Sequence, residues 1–194
     1  APLQSAWGIL STGGTTNISG MTEIEVGGTK VSKAVQASGG TVTFEGLSVK
    51  TNAASDDAAA LFAQNDGLIN VNVTYGNVGD STVALDGNIV AKDAASYVDV
   101  GLCGEPSYFK GIAYGDGTIN MSLQQGAVWQ NGKQGALLPT GFTGSHISRF
   151  VGGYAPNQAG AIFQNDDQNI TIDTYHAYTK VFFAHDSATP TNIK

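Results

Sequence analysis

Short runs of strict apolar/polar alternation dominate this chain. Ile24 and Val26 are interleaved with Glu23 and Glu25, Val42 and Phe44 with Thr41, Thr43 and Glu45, and Ile69, Val71 and Val73 with Asn70, Asn72 and Thr74. The same beat returns at Val83 and Leu85, at Val98, Val100 and Leu102, at Ile119, Met121 and Leu123, and at Ile170 and Ile172. Period two places successive side chains on opposite faces, which is the pattern of a half-buried strand. Helical spacing is nearly absent. Only Ser55-Asp56-Asp57-Ala58-Ala59-Ala60-Leu61-Phe62, with capping residues ahead of an alanine run, predicts a short helix. Gly, Asn and Asp punctuate the runs, as at Gly39-Gly40, Asp66-Gly67, Asp116-Gly117 and Gly152-Gly153.

Many short strands with Gly-rich breaks fit either an antiparallel β-sandwich or a parallel solenoid. Self-similarity favours the solenoid. Leu61-Phe62-Ala63-Gln64-Asn65-Asp66 is echoed by Ile162-Phe163-Gln164-Asn165-Asp166, and each copy is followed by alternation. Asp66-Gly67-Leu68-Ile69-Asn70 is matched by Asp116-Gly117-Thr118-Ile119-Asn120, and Gly-Gly-Thr occurs at 13–15, 27–29 and 39–41. The expectation is one all-β domain over residues 1–194, with Trp7, Ile9 and Leu10 in an N-terminal cap over 1–35. Windings of roughly 20–25 residues predict about eight of them, a column about 40 Å long. Gln-Asn-Asp is read as a corner, because Asn and Asp tolerate left-handed backbone.

Composition narrows the function. The chain is 41% hydrophobic but only 13% charged, and it carries 26 glycines; a charged share of about a quarter is usual. Small polar residues replace ions at the surface, the palette of an extracellular β-protein. With a net charge of −7 and nine scattered Lys and Arg, nucleic acid is not an expected partner. Cys103 is alone and set among Val100, Leu102 and Gly104, so no intrachain disulfide forms and an inert thiol is expected. No apolar run approaches the roughly 20 residues of a membrane span.

Gly39-Gly40-Thr41-Val42-Thr43-Phe44-Glu45-Gly46, then Ala58-Ala59-Ala60-Leu61-Phe62-Ala63, then Gly67-Leu68-Ile69-Asn70-Val71 resembles the passenger domains of bacterial autotransporter proteins. Gly79 to Ile89 and Asn169 to Val181 share the style, so the resemblance covers about residues 36–190. It implies a right-handed parallel β-helix displayed at a Gram-negative cell surface, in adhesion or self-association. The C-terminal β-barrel of such proteins is not in this sequence. A segment of a longer passenger is therefore expected, with an open last winding available for end-to-end contact.

Candidate chemistry was weighed against this reading. Gly79-Asp80-Ser81 with Asp173-Thr174-Tyr175-His176 is similar to the blocks of lipase-like esterases, with Ser81 as nucleophile, His176 as base and Asp173 as its orienter. Against it, Ser81 leads into the strand at Val83 to Leu85, where a nucleophile turn would enter a helix. In a serine-protease reading, Thr82 stands where Gly is needed, and His146, His176 and His185 all lie downstream. Asp56-Asp57 and Asp166-Asp167 are the adjacent acid pairs for carbohydrate cleavage or an ion, and they read first as loop residues. No metal or cofactor is expected, and His146 and His185 lack partners at ligand spacing. The expectation is a non-catalytic extracellular segment that binds host-surface or matrix protein or glycan, or itself. Its candidate interaction surface is Tyr154, Tyr175, His176 and Tyr178, since aromatics favour interfaces and sugar stacking. A carbohydrate-processing or esterase enzyme on the same scaffold is the alternative.

Overall fold

The structure, a computed structural model, describes residues 4–74, 76–132, 142, 144–164 and 169–183. The chain winds as a parallel β-helix. The first winding holds β1 (Ser5–Ser11) and β2 (Thr15–Glu25), and the second β3 (Val31–Ser38) and β4 (Thr41–Lys50). The third holds β5 (Asp57–Gln64), β6 (Leu68–Val71), a hairpin of β7 (Val73–Thr74) and β8 (Asn77–Val78), and β9 (Val83–Asp86). The fourth holds β10 (Asn88–Ala91), β11 (Tyr97–Cys103) and β12 (Tyr108–Lys110), and the fifth β13 (Ala113–Tyr114), β14 (Thr118–Gln124) and β15 (Val128–Asn131). β16 (Gly144–Val151) and β17 (Gly160–Gln164) belong to the sixth, and β18 (Asn169–His176) and β19 (Thr179–Phe183) to the seventh.

Three parallel ladders run along the column. The first is β1-β3-β5-β10-β13. The second joins the start of β2 and of β4 to β6, β11, β14, β16 and β18, and the third joins their ends to β9, β12, β15, β17 and β19. β2 and β4 bend to serve both. Seven windings among the described residues replace the expected eight, because Val31 stands over Ser5 and Asp57 over Val31, longer steps than anticipated. At roughly 4.8 Å per step the described column is about 30 Å long. Parallel pairing throughout the three ladders excludes the sandwich; antiparallel contacts are confined to β7–β8 and two isolated bridges.

The alternating residues fill the interior. One inward column of the third ladder runs Ile24, Val49, Leu85, Phe109, Trp129, Ile162 and Val181. One of the second runs Ile18, Phe44, Val71, Val100, Met121, Phe150 and Tyr175. Their central members are all buried, and each large side chain contributes roughly 1.5–3 kcal/mol.

The expected helix at Ser55 to Phe62 is instead β5, whose residues 58–63 are all buried. Leu61 and Ala63 face the main core, while Ala59 and Phe62 join a second cluster with Val90, Ile112 and Tyr114, against which Phe142 packs. With both faces covered, the strand loses its polar beat and reads as a continuous apolar run. The expected corner at Gln64-Asn65-Asp66 is present: Asn65 (φ 51°) and Asp66 (φ 62°) are both left-handed. Gly67 follows because a Cβ there would lie 2.2 Å from the Ala37 carbonyl oxygen. Asn165, Asp166 and Asp167 of the second copy lie outside the described residues.

Candidate functional site

The second ladder presents one unbroken outward column. Register places Asn17, Thr43, Asn70, Asp99, Asn120, Arg149 and Thr174 one above another. Asp99 therefore sits between the two Asp-Gly-x-Ile-Asn echoes, flanked by Asn70 and Asn120. Beside it, the Tyr97 hydroxyl donates to Asp99 Oδ2 (3.2 Å) and accepts from Asn120 Nδ2 (2.6 Å). Desolvation lifts the Asp99 carboxyl above its ordinary range, opposed by the Tyr97 hydrogen bond and the Arg149 charge. Desolvation, then the Asp99 charge, also raises Tyr97.

A raised carboxyl pKa costs stability once the group ionises. The folded state holds the proton longer, so the contribution of Asp99 falls as pH rises from the unfolded carboxyl range through the raised folded value. Asp99→Asn keeps the acceptor for Tyr97 and extends the amide ladder. It is expected to stabilise the protein at pH 7 by a few tenths to about 1 kcal/mol, an advantage that disappears near pH 3. Melting curves at both pH values check this, and a variant less stable at pH 7 refutes it.

At one end of the column the chain leaves the winding between β6 and β9. Asn72, left-handed at φ 53° and buried, holds this excursion. Its Nδ2 donates to the carbonyls of Gly79 (2.9 Å), Ser81 (2.9 Å) and Gly101 (3.0 Å), and its Oδ1 accepts from the Ser81 amide (3.3 Å). Under the excursion lies a cleft of about 330 Å³, with Asn17, Ser19, Thr43, Glu45, Asp80 and Ser81 supplying polar groups and Ile18, Phe44 and Val73 apolar ones. Glu45 is oriented by the Gly20 amide, which donates to Oε2 at 2.7 Å. The volume suits one sugar ring or one side chain better than a cofactor. Two carboxylates in its wall favour neutral or cationic groups over anions.

The aromatic residues singled out from sequence gather at the other end. Tyr175 closes an inward column, stacked on Phe150 at 5.9 Å yet 49% exposed. His176 is the next residue of β18 and is exposed. Tyr178 exchanges backbone hydrogen bonds with Gly153, which brings exposed Tyr154 to the same corner. All four lie in or beside the last described winding.

The esterase constellation is not assembled. Ser81 stands at the third winding and His176 in the seventh, four ladder steps or roughly 19 Å apart. Asp173 instead meets His146 Nε2 at 2.9 Å. Asp57 pairs with Lys33 at 3.0 Å, and Lys33 lies over the Phe62 ring. Among the described residues no three His, Cys, Asp or Glu side chains converge, and His185 falls outside them. Cys103 is buried, and desolvation followed by the Asp80 charge raises its pKa, the opposite of nucleophile activation. No helix among the described residues is long and apolar enough to cross a membrane, which says nothing of β-barrels. No protein-family profile, curated protein or solved structure matches the chain.

Sequence reasoning missed Asp99, Tyr97, Arg149 and Asn72. The available signal was the pair of Asp-Gly-x-Ile-Asn echoes, which marks equivalent positions but not the strand between them.

Proposed function

We propose that this chain is a non-catalytic binding segment displayed outside the cell, part of the passenger of a bacterial surface adhesin. Its partners are a host-surface or matrix protein or glycan, or the protein itself, as in biofilm formation. The observation that carries this reading is the outward column from Asn17 to Thr174, seven tiers of amide, hydroxyl, carboxylate and guanidinium at strand spacing. Such an array gives many weak polar contacts to an extended partner, so affinity comes from multiplicity. The surface chemistry supports an extracellular setting, since small polar residues do the work that ions do elsewhere and the one thiol is buried.

The test is display of the chain on beads, scored for retention of glycans, matrix proteins and other beads. Asn70→Glu combined with Asn120→Glu, which sets three carboxylates in a row around Asp99, is expected to weaken retention about tenfold or more, with the melting point tracked in parallel. Esterase and polysaccharide-cleavage assays run on the same material are expected to show no turnover. Turnover abolished by Ser81→Ala would overturn the reading.

A further inference from the structure

We infer that copies of this chain stack head to tail, with the first winding of one continuing the last described winding of the next. The inference names the partner for the self-association just proposed, and it rests on that reading. Among the described residues β2 pairs only with β4, β18 only with β16, and β19 only with β17. Each therefore has one ladder edge unmatched by another described strand, and such an edge templates a further parallel strand.

Register supplies the specificity. Tyr175 ends the inward column that Ile18 begins, and Val181 ends the one that Ile24 begins. Thr174 ends the outward polar column that Asn17 begins. Lys180 ends the column that Glu23 begins, by way of Ser48, Ala84, Tyr108, Val128 and Ala161. Advancing each ladder by one step sets Ile18 of the next copy on Tyr175, Ile24 on Val181, Asn17 on Thr174 and Glu23 on Lys180. Apolar meets apolar, polar meets polar and opposite charges meet. The column next to Glu23 already pairs charges this way between windings, with Glu25 to Lys50 at 3.1 Å and Asp86 to Lys110 at 3.6 Å.

Exposure at the two ends agrees. Val181 and Phe182 at one end, and Met21 at the other, are large apolar residues left open. Phe182, stacked on Phe163 at 4.8 Å, meets Glu25 in this arrangement and is its least favourable contact. The surfaces that join are different, so the contact is heterologous and grows into a rod without closing.

Sedimentation of the full chain over a wide concentration range tests this. The average mass is expected to climb from 19.9 kDa without a plateau at two. Lys180→Glu and Glu23→Lys each set like charges together and are expected to shift the rise to roughly three- to tenfold higher concentration. An equimolar mixture of the two variants, and the double variant, should both restore it, because each again offers opposite charges at every junction. Val181→Lys, with its melting point checked against the parent, should abolish the rise. A mass constant at one copy, a plateau at two, indifference to the single swaps or failure of the mixture to recover each overturns the inference. If the mass stays at one copy while displayed chain still retains glycan or matrix, head-to-tail stacking falls and the binding function stands.

Discussion

Trp129→Ala is expected to cost about 3–5 kcal/mol, the range for emptying a buried indole site. Trp129 is fully buried, with ring centroids 5.7 Å from Phe109 and 6.4 Å from Phe150, and its Nε1 donates to the Gly111 carbonyl at 3.0 Å. The cavity cannot relax along the column, because the windings on either side are held at strand spacing by their backbone ladders. Urea unfolding followed by far-ultraviolet circular dichroism measures the loss. Trp129→Phe should recover most of it and leave about 1 kcal/mol for the unpaired Gly111 carbonyl. Solenoid stability is summed between neighbours, so breaking the fifth winding should also split one transition into two, with the first windings outlasting the last. Trp7, 48% exposed near the other end, remains as a fluorescent reporter for the surviving part. A loss below about 1 kcal/mol with a single transition would show that the aromatic stack is not what couples the windings.

That coupling also explains what the sequence could disclose. A winding repeats its corners because each winding turns in the same place, so corner phrases survive even where loops vary. Leu68 and Thr118 of the Asp-Gly-x-Ile-Asn echoes both pair with Tyr97. The Gly-Gly-Thr phrases at 13–15 and 39–41 are equivalent too, Thr15 pairing with Thr41, whereas Gly27-Gly28-Thr29 turns a different corner between β2 and β3. A phrase alone does not say which corner it serves. The alternating strands were readable because one face meets the core and the other meets water. β5 was not, because its outer face is covered as well.

The site was harder to see, for a geometric reason. Its column joins residues one winding apart, and the winding length changes from step to step, so no fixed spacing links Asn70 to Asp99 or Asn120 to Arg149. Only pairing reveals that they touch. Tyr154, Tyr175, His176 and Tyr178 were found because aromatic clustering along the chain is visible without register, and the structure sets them around one end. The same register turned Asp173 from a partner for His176 into one for His146.

Asn72→Ala is the second large effect, expected to cost about 3–4 kcal/mol. Asn72 has two amide hydrogens shared among three buried carbonyls, and its own oxygen accepts from Ser81. Removing the amide strands several groups at roughly 1–3 kcal/mol each before water enters the cleft. Alanine also disfavours the left-handed backbone by roughly 1–2 kcal/mol. Asn72→Gly relieves that second cost and keeps the first, so the difference between the two variants measures the backbone contribution alone. Asn72→Asp should be worse than glycine, since it turns a second oxygen toward three carbonyls. The excursion from Val73 to Thr82 loses its anchor in all three, and with it one wall of the cleft. Amide hydrogen exchange is therefore expected to rise first at Gly79 and Ser81, while Val98 and Ile119 in the neighbouring strands stay protected. Exchange that rises evenly through all seven windings would mean that Asn72 supports the column itself, and the cleft would then be inseparable from the fold.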